Sequence, residues 1–218
     1  MLKHSPDFCP HKPGEPPLVD AAAIAKMRKG ALLVNTARAG LVDSAAVRKA
    51  LAEMDFPHIY PDPESRALRQ SLAEFTGVDE DYLLAGSGAD ELLDLLMRVF
   101  LEPSECILSC PPTFGMYPFD AELNAARCIE VPRNADFSLN MDGIKKAVDE
   151  YKPKLLFIAS PNNPDGSLIP LDVMDELLAL PLLVVLDEAY IEFAGENLGA
   201  NLSRIREVPQ RENLVVLR

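Results

Sequence analysis

The apolar run Leu182-Leu183-Val184-Val185-Leu186 ends abruptly in Asp187-Glu188-Ala189-Tyr190. A β-type run that is apolar at every position, rather than at alternate ones, is buried on both faces, as in the interior of a parallel sheet. An acid at its end puts a carboxylate at the C-terminal edge of that sheet, where open α/β folds bind their ligands. The other reading is that Asp187 merely starts a loop or caps a helix.

The rest of the chain decides between the two. From residue 62 onward, strand-like and helix-like segments alternate. A helix opens after Asp62-Pro63 and closes at Gly77, with Leu68, Leu72 and Phe75 on one face. Tyr82 to Ala85 reads as a short strand. Gly86-Ser87-Gly88-Ala89-Asp90 opens a helix that is apolar almost all round from Leu92 to Leu101, and therefore buried, with Asp90, Asp94 and Arg98 as its polar face. Strands follow at Cys106–Leu108, Arg127–Val131, Lys154–Ser160, Leu183–Asp187 and Leu214–Leu217. Helices are expected at Thr113–Glu122, Met141–Glu150 and Leu171–Leu180. Such alternation predicts βαβ units and a largely parallel sheet, an α/β fold.

Composition narrows the function classes. The 218 residues are 48% hydrophobic, enough for a sizeable core, and no apolar run reaches membrane-spanning length. A net charge of −13 argues against nucleic acid and anionic membranes as partners. The start, Met1-Leu2-Lys3-His4, has neither the apolar core of a signal peptide nor the composition of a transit peptide. Cys9, Cys106, Cys110 and Cys128 show no CxxC spacing, which predicts a reduced, intracellular and cytoplasmic protein. A plastid location is open if a targeting segment precedes this chain. His4, Cys9 and His11 lack a fourth ligand, so no metal site is expected.

Four features fit one ligand. The helix start at Gly88, Ala89 and Asp90 offers free N–H groups and a positive dipole end to a phosphate. Phe114, in Pro111-Pro112-Thr113-Phe114-Gly115-Met116-Tyr117, can lay its face on a planar ring. Asn163, in Asn162-Asn163-Pro164-Asp165-Gly166, can donate to a phenolate oxygen, and the same residues form a turn. Asp187 can hold a pyridine nitrogen protonated, and Tyr190 can reach the phenolate oxygen. Taken singly, each has an ordinary structural explanation: a helix start, core packing, a turn, a loop. Phosphate, ring face, phenolate and pyridinium together describe pyridoxal 5'-phosphate.

The order of these features resembles the fold-type I aminotransferases, and within them the histidinol-phosphate aminotransferases. The runs that carry it are Tyr60-Pro61-Asp62-Pro63-Glu64-Ser65, Gly88-Ala89-Asp90-Glu91, Cys110 to Tyr117, Ser160 to Gly166 and Asp187 to Phe193. The resemblance covers residues 54–218. It implies a three-layer sandwich with a mainly parallel sheet, like the large domain of those enzymes but incomplete. It also implies a homodimer in which Tyr60 reaches the neighbouring subunit's cofactor phosphate. The small-molecule substrates it implies are L-glutamate and imidazole acetol phosphate, in histidine biosynthesis.

Residues 18–52 resemble a different family, the D-2-hydroxyacid dehydrogenases, through Met27-Arg28-Lys29-Gly30-Ala31-Leu32-Leu33-Val34-Asn35-Thr36-Ala37-Arg38-Ala39-Gly40. There Arg38 matches the substrate-carboxylate arginine, although Ala39 stands where that family usually has Gly. No GxGxxG loop occurs, so NAD is not expected to bind. The expected division is therefore 1–53, an irregular arm with a βα fragment, and 54–218, part of a cofactor-binding large domain.

The aminotransferase resemblance also implies a lysine that engages the cofactor covalently, in a Ser-Lys run after the strand matched by Leu214 to Leu217. No lysine follows Lys154. Hence no catalytic residue is assigned, and the expectation is a family member inactive by itself. The alternatives are a non-catalytic cofactor-binding or dimer-partner fragment, or a dehydrogenase remnant.

Overall fold

The computed structural model describes residues 16–17, 19–27, 42–53, 62–195 and 202–218. Arg38, Tyr60 and the His4–Cys9–His11 group lie outside them. The chain divides into two compact units, Met1–Leu68 and Arg69–Arg218.

In the first unit, α1 (Ala21–Ala25) is capped by Asp20, whose Oδ1 accepts from the Ala23 amide at 2.8 Å. Helix α2 (Ser44–Ala52) is capped by Asp43, which accepts from the Ala45 and Ala46 amides. Short acidic side chains are well suited to this work, since they satisfy first-turn N–H groups that have no partner within the helix. A parallel bridge joins Val19 to Val42. Asp62 likewise accepts from the Glu64 and Arg66 amides, but as a turn. Helix α3 (Arg66–Thr76) therefore begins at Arg66 and not at Pro63.

The second unit holds a five-stranded parallel sheet of β1 (Cys106–Ser109), β2 (Arg127–Glu130), β3 (Leu155–Ala159), β4 (Leu183–Asp187) and β5 (Leu214–Leu217), in the order β2-β1-β3-β4-β5. The side-chain period of two sorts each strand between two layers. Leu108, Leu156, Ile158, Val184, Leu186 and Leu214 join Ile144 and Val148 of α6 (Met141–Tyr151) and Met174 and Leu177 of α7 (Leu171–Leu178). Ile107, Leu155, Phe157, Val185 and Leu217 join Leu93 and Met97 of α4 (Ala89–Phe100) and Tyr117 and Ala121 of α5 (Met116–Leu123). The result is helix, sheet, helix: the three-layer α/β sandwich expected.

Two local expectations change. Residues 83–86 are irregular, following a 3-10 turn at Glu80–Tyr82, because no strand among the described residues pairs with the segment. Helix α4 is not buried all round: Leu93 and Met97 are fully buried, while Val99 is 74% exposed and Leu95 and Phe100 are also exposed. Its apolar residues outnumber the positions that the sheet can cover. On α3, Phe75, which shares a face with Leu68 and Leu72, is exposed.

Candidate cofactor site

The topology creates a crevice before any side chain is considered. From β1 the chain turns through α5 to β2 on one side, and from β3 it turns through α7 to β4 on the other. Helices α5 and α7 lie in opposite layers, so the loops leaving β1 and β3 part at their C-terminal ends. That divergence is the switch point at which open parallel sheets bind ligands.

The loop after β1 carries Phe114 and the loop after β3 carries Asn163. The end of β4, paired in register with Ala159 of β3 and Leu217 of β5, carries Asp187. Helix α4 starts at this same edge. It is joined to β1 by the short connection 101–105 and runs alongside α5, with the Asn124 Nδ2 at the end of α5 donating to Asp94 Oδ1 at 2.9 Å.

Asp187 is 6% exposed. Its odd position in the strand puts it on the same face as Val185, toward α5. There Oδ2 accepts from the Tyr117 hydroxyl at 2.8 Å, and Oδ1 accepts from the Ala189 amide at 3.0 Å. Tyr117 is fully buried, stacked on Phe157 with ring centroids 5.2 Å apart and edge-on to Phe114 at 5.6 Å. Burial and the adjacent Asp187 carboxylate push the Tyr117 phenol far up, so it is a neutral donor at any working pH.

The two asparagines divide their tasks. Asn162 is 3% exposed and braces the crevice. Its Nδ2 donates to the Pro112 carbonyl at 3.1 Å and to Asp165 Oδ1, and its Oδ1 accepts from Thr113 Oγ1 at 2.9 Å. Asn163 is exposed, as are Tyr190 and the Gly166 turn. Arg133 fixes the loop after β1 from its other side. Its amide donates to the Pro111 carbonyl at 2.7 Å and its Nε to the Cys110 carbonyl at 3.2 Å. Burial lowers the Arg133 pKa from its ordinary value.

At the start of α4, Gly88 has φ +107° and nothing within 4 Å of the position a Cβ would take. The Ser87 amide donates to the Glu91 carboxylate, and Asp90 shares that first turn. The helix start thus already satisfies part of its own donor set. Next to Asp187, Glu188 is 1% exposed, and its Oε1 accepts from the Arg204 amide at 2.7 Å while Oε2 accepts from the Ser203 hydroxyl. It anchors the segment leading into β5.

Of the residues singled out in the sequence, Phe114, Asn163, Asp187 and Tyr190 sit on loops or strand ends at one edge. Gly88, Ala89 and Asp90 open the helix that starts there. Tyr117, Asn162, Arg133 and Glu188 escaped the sequence reading. Two signals pointed to them: Tyr117 lies one helical turn after Phe114, and Glu188 adjoins the strand-end acid. Lys154 precedes β3, at the opposite edge of the sheet, where it pairs with Glu105 at 2.7 Å.

A buried carboxylate, an aromatic face and exposed amide and phenol groups thus lie around the switch point of a parallel α/β sheet, where proteins of this class bind their ligands. The sequence pattern of the family "Aminotransferase class I and II" matches residues 27–218, so the chain belongs to that family. The match begins inside the span that resembles the hydroxyacid dehydrogenases. The chain is 55% identical over 172 residues to histidinol-phosphate aminotransferase 1, chloroplastic, of Arabidopsis thaliana, covering 79% of this chain and 40% of that protein. It is 44% identical to the histidinol-phosphate aminotransferase of Roseiflexus castenholzii, covering 78% and 45% respectively. The crystal structure of histidinol-phosphate aminotransferase from Sinorhizobium meliloti, in complex with pyridoxal-5'-phosphate, superposes with a TM-score of 0.68 at 28% identity. That superposition covers 79% of this chain and 46% of the other. The chain thus spans less than half the length of the relatives it matches. Among the described residues, no helix is long and apolar enough to cross a membrane.

Proposed function

We propose that this chain forms the pyridoxal 5'-phosphate cradle of a histidinol-phosphate aminotransferase. The observation that carries the reading is Asp187, a carboxylate buried at the sheet edge that still presents acceptor capacity beyond its two hydrogen bonds. The similarity to histidinol-phosphate aminotransferases supplies the substrate class: amino transfer between L-glutamate and imidazole acetol phosphate.

The donor set fits the cofactor. Asp187 accepts from the pyridine N–H, Phe114 covers one ring face, and Asn163 and Tyr190 donate to the phenolate oxygen. The amides at Gly88, Ala89 and Asp90 receive the phosphate, beside the Ser87 amide that Glu91 already engages. When bound, the cofactor supplies an electron sink for substrate bonds broken at the α-carbon. The residues of this chain bind it, orient it and keep its ring nitrogen protonated. In the homodimer that the family reading implies, Tyr60 serves the neighbouring subunit's phosphate. The compartment proposed is intracellular: the cytoplasm, or the plastid in line with the chloroplastic plant relatives.

Titrating the purified chain with pyridoxal 5'-phosphate, followed by the cofactor's absorption, tests the reading. Saturable binding is expected, and Asp187→Asn should weaken it about tenfold, the scale of one hydrogen bond to a charged group. Binding that never saturates, or that is indifferent to Asp187→Asn, sinks the proposal. Histidinol phosphate should perturb the bound cofactor's spectrum at lower concentration than L-aspartate does, and an equal response would overturn the substrate class.

A further inference from the structure

Asp187 ends β4 and Phe114 lies in the loop after β1, yet one side chain touches both. Tyr117 donates its hydroxyl to Asp187 Oδ2 at 2.8 Å and presents its ring to the Phe114 ring, 5.6 Å away and at 79°. Tyr117 is itself immobilised: it is fully buried, stacked on Phe157 at 5.2 Å and 23°, and carried by the first turn of α5. Phe157 belongs to β3, the strand between β1 and β4. The tyrosine therefore sits where the three strands that carry the crevice meet.

We propose that Tyr117 is a positioning residue: it holds the Asp187 carboxylate in one rotamer and sets the Phe114 ring at a fixed height relative to it, for a planar pyridine ring to enter. This rests on the cofactor reading above. The physical argument is one of satisfied donors. A carboxylate this deeply buried needs a partner for each oxygen. The Ala189 amide serves Oδ1, and among the described residues the tyrosine is the partner in hydrogen-bonding contact with Oδ2. Tyr117 donates to Oδ2 and the Ala189 amide to Oδ1, which leaves the carboxylate's remaining acceptor capacity to a ring N–H. Without the hydroxyl, Oδ2 is left buried and unsatisfied, and the carboxylate is free to turn away from the crevice.

A double-mutant cycle on pyridoxal 5'-phosphate affinity separates this from a packing role. Tyr117→Phe keeps the ring stack and removes only the donor. It is expected to weaken binding about tenfold in the wild-type background and less than twofold in Asp187→Asn, with the visible band of the bound cofactor shifted only in the former. Equal losses in both backgrounds, or no loss in either, overturn the assignment. A fluorinated tyrosine at position 117 strengthens the donor at constant shape and should tighten binding, so the question stays answerable if Tyr117→Phe fails to fold. An unchanged affinity with the fluorinated ring likewise overturns the assignment. Wild-type protein that binds no cofactor defeats the cofactor reading and this proposal together, whereas wild-type binding with an indifferent Tyr117→Phe defeats this proposal alone.

Discussion

At the scale of single residues, the functional edge depends on buried polar groups whose partners lie far away in sequence. Asn162 makes three side-chain hydrogen bonds, two of them to the loop after β1. Asn162→Ala leaves the Pro112 carbonyl short of a donor, so it should destabilise the protein by about 2 kcal/mol in urea denaturation. A loss below about 0.5 kcal/mol would show that water replaces the amide. Glu188 gives a pH prediction. Burial raises its carboxyl above the ordinary value of 4.5, against the opposing hydrogen bonds from Ser203 and Arg204. A proton held more tightly in the folded state contributes stability that is full below that ordinary value and is lost as pH rises through the raised one. Glu188→Gln lacks this term and can keep both hydrogen-bond partners. Its stability relative to wild type should therefore increase as pH rises above about 4.5. A difference that stays flat across the series would contradict that sign.

At the scale of elements, caps and periodicity were legible in the sequence and neighbours were not. Asp20 and Asp43 cap their helices through contacts within a few residues, which is why short acids before apolar helical runs are informative. The five strands of the sheet are placed to within a residue or so, because an apolar β run carries its own signal, whereas the strand expected at Tyr82–Ala85 did not form. What failed was the extent of burial on α4, since periodicity shows which residues are apolar but not how wide a face the sheet covers. Leu93 and Leu95 make the contrast measurable. Leu93→Ala, at a fully buried position, should cost about 3 kcal/mol, and Leu95→Ala, 41% exposed, less than about 1 kcal/mol. Gly143 in α6 reverses the usual helix preference. Alanine should gain about 1 kcal/mol of propensity there. Its Cβ, however, would sit 2.8 Å from Asn140 Nδ2 and 2.9 Å from Val131 Cγ1, against the residue that caps the helix. Gly143→Ala is expected to lower the melting temperature, and a rise would mean that Asn140 moves aside freely.

At the scale of the whole molecule, the second unit presents an apolar groove of about 410 Å³ between α3, α4 and β5, with Phe75, Leu84 and Val99 exposed along it. Exposed apolar surface of this kind promotes association. Replacing Leu84 and Val99 with lysine should raise the soluble yield, and an unchanged yield would move the cause elsewhere. The sequence by itself determined the class of fold, the strand-end acid and the family, because those rest on local patterns: apolar runs, caps and contiguous motifs. The order of Asp187, Asn163 and Phe114 along the chain also grounds the proposal that they serve one ligand. Only the tertiary structure decided that Tyr117 serves Asp187, that Asn162 braces while Asn163 stays exposed, and that Glu188 ties down the segment before β5. Those roles depend on hydrogen bonds between residues as many as 70 positions apart. No local pattern encodes such a pairing. It arises when the two-residue period of β4 turns Asp187 toward the layer in which α5 has placed a tyrosine.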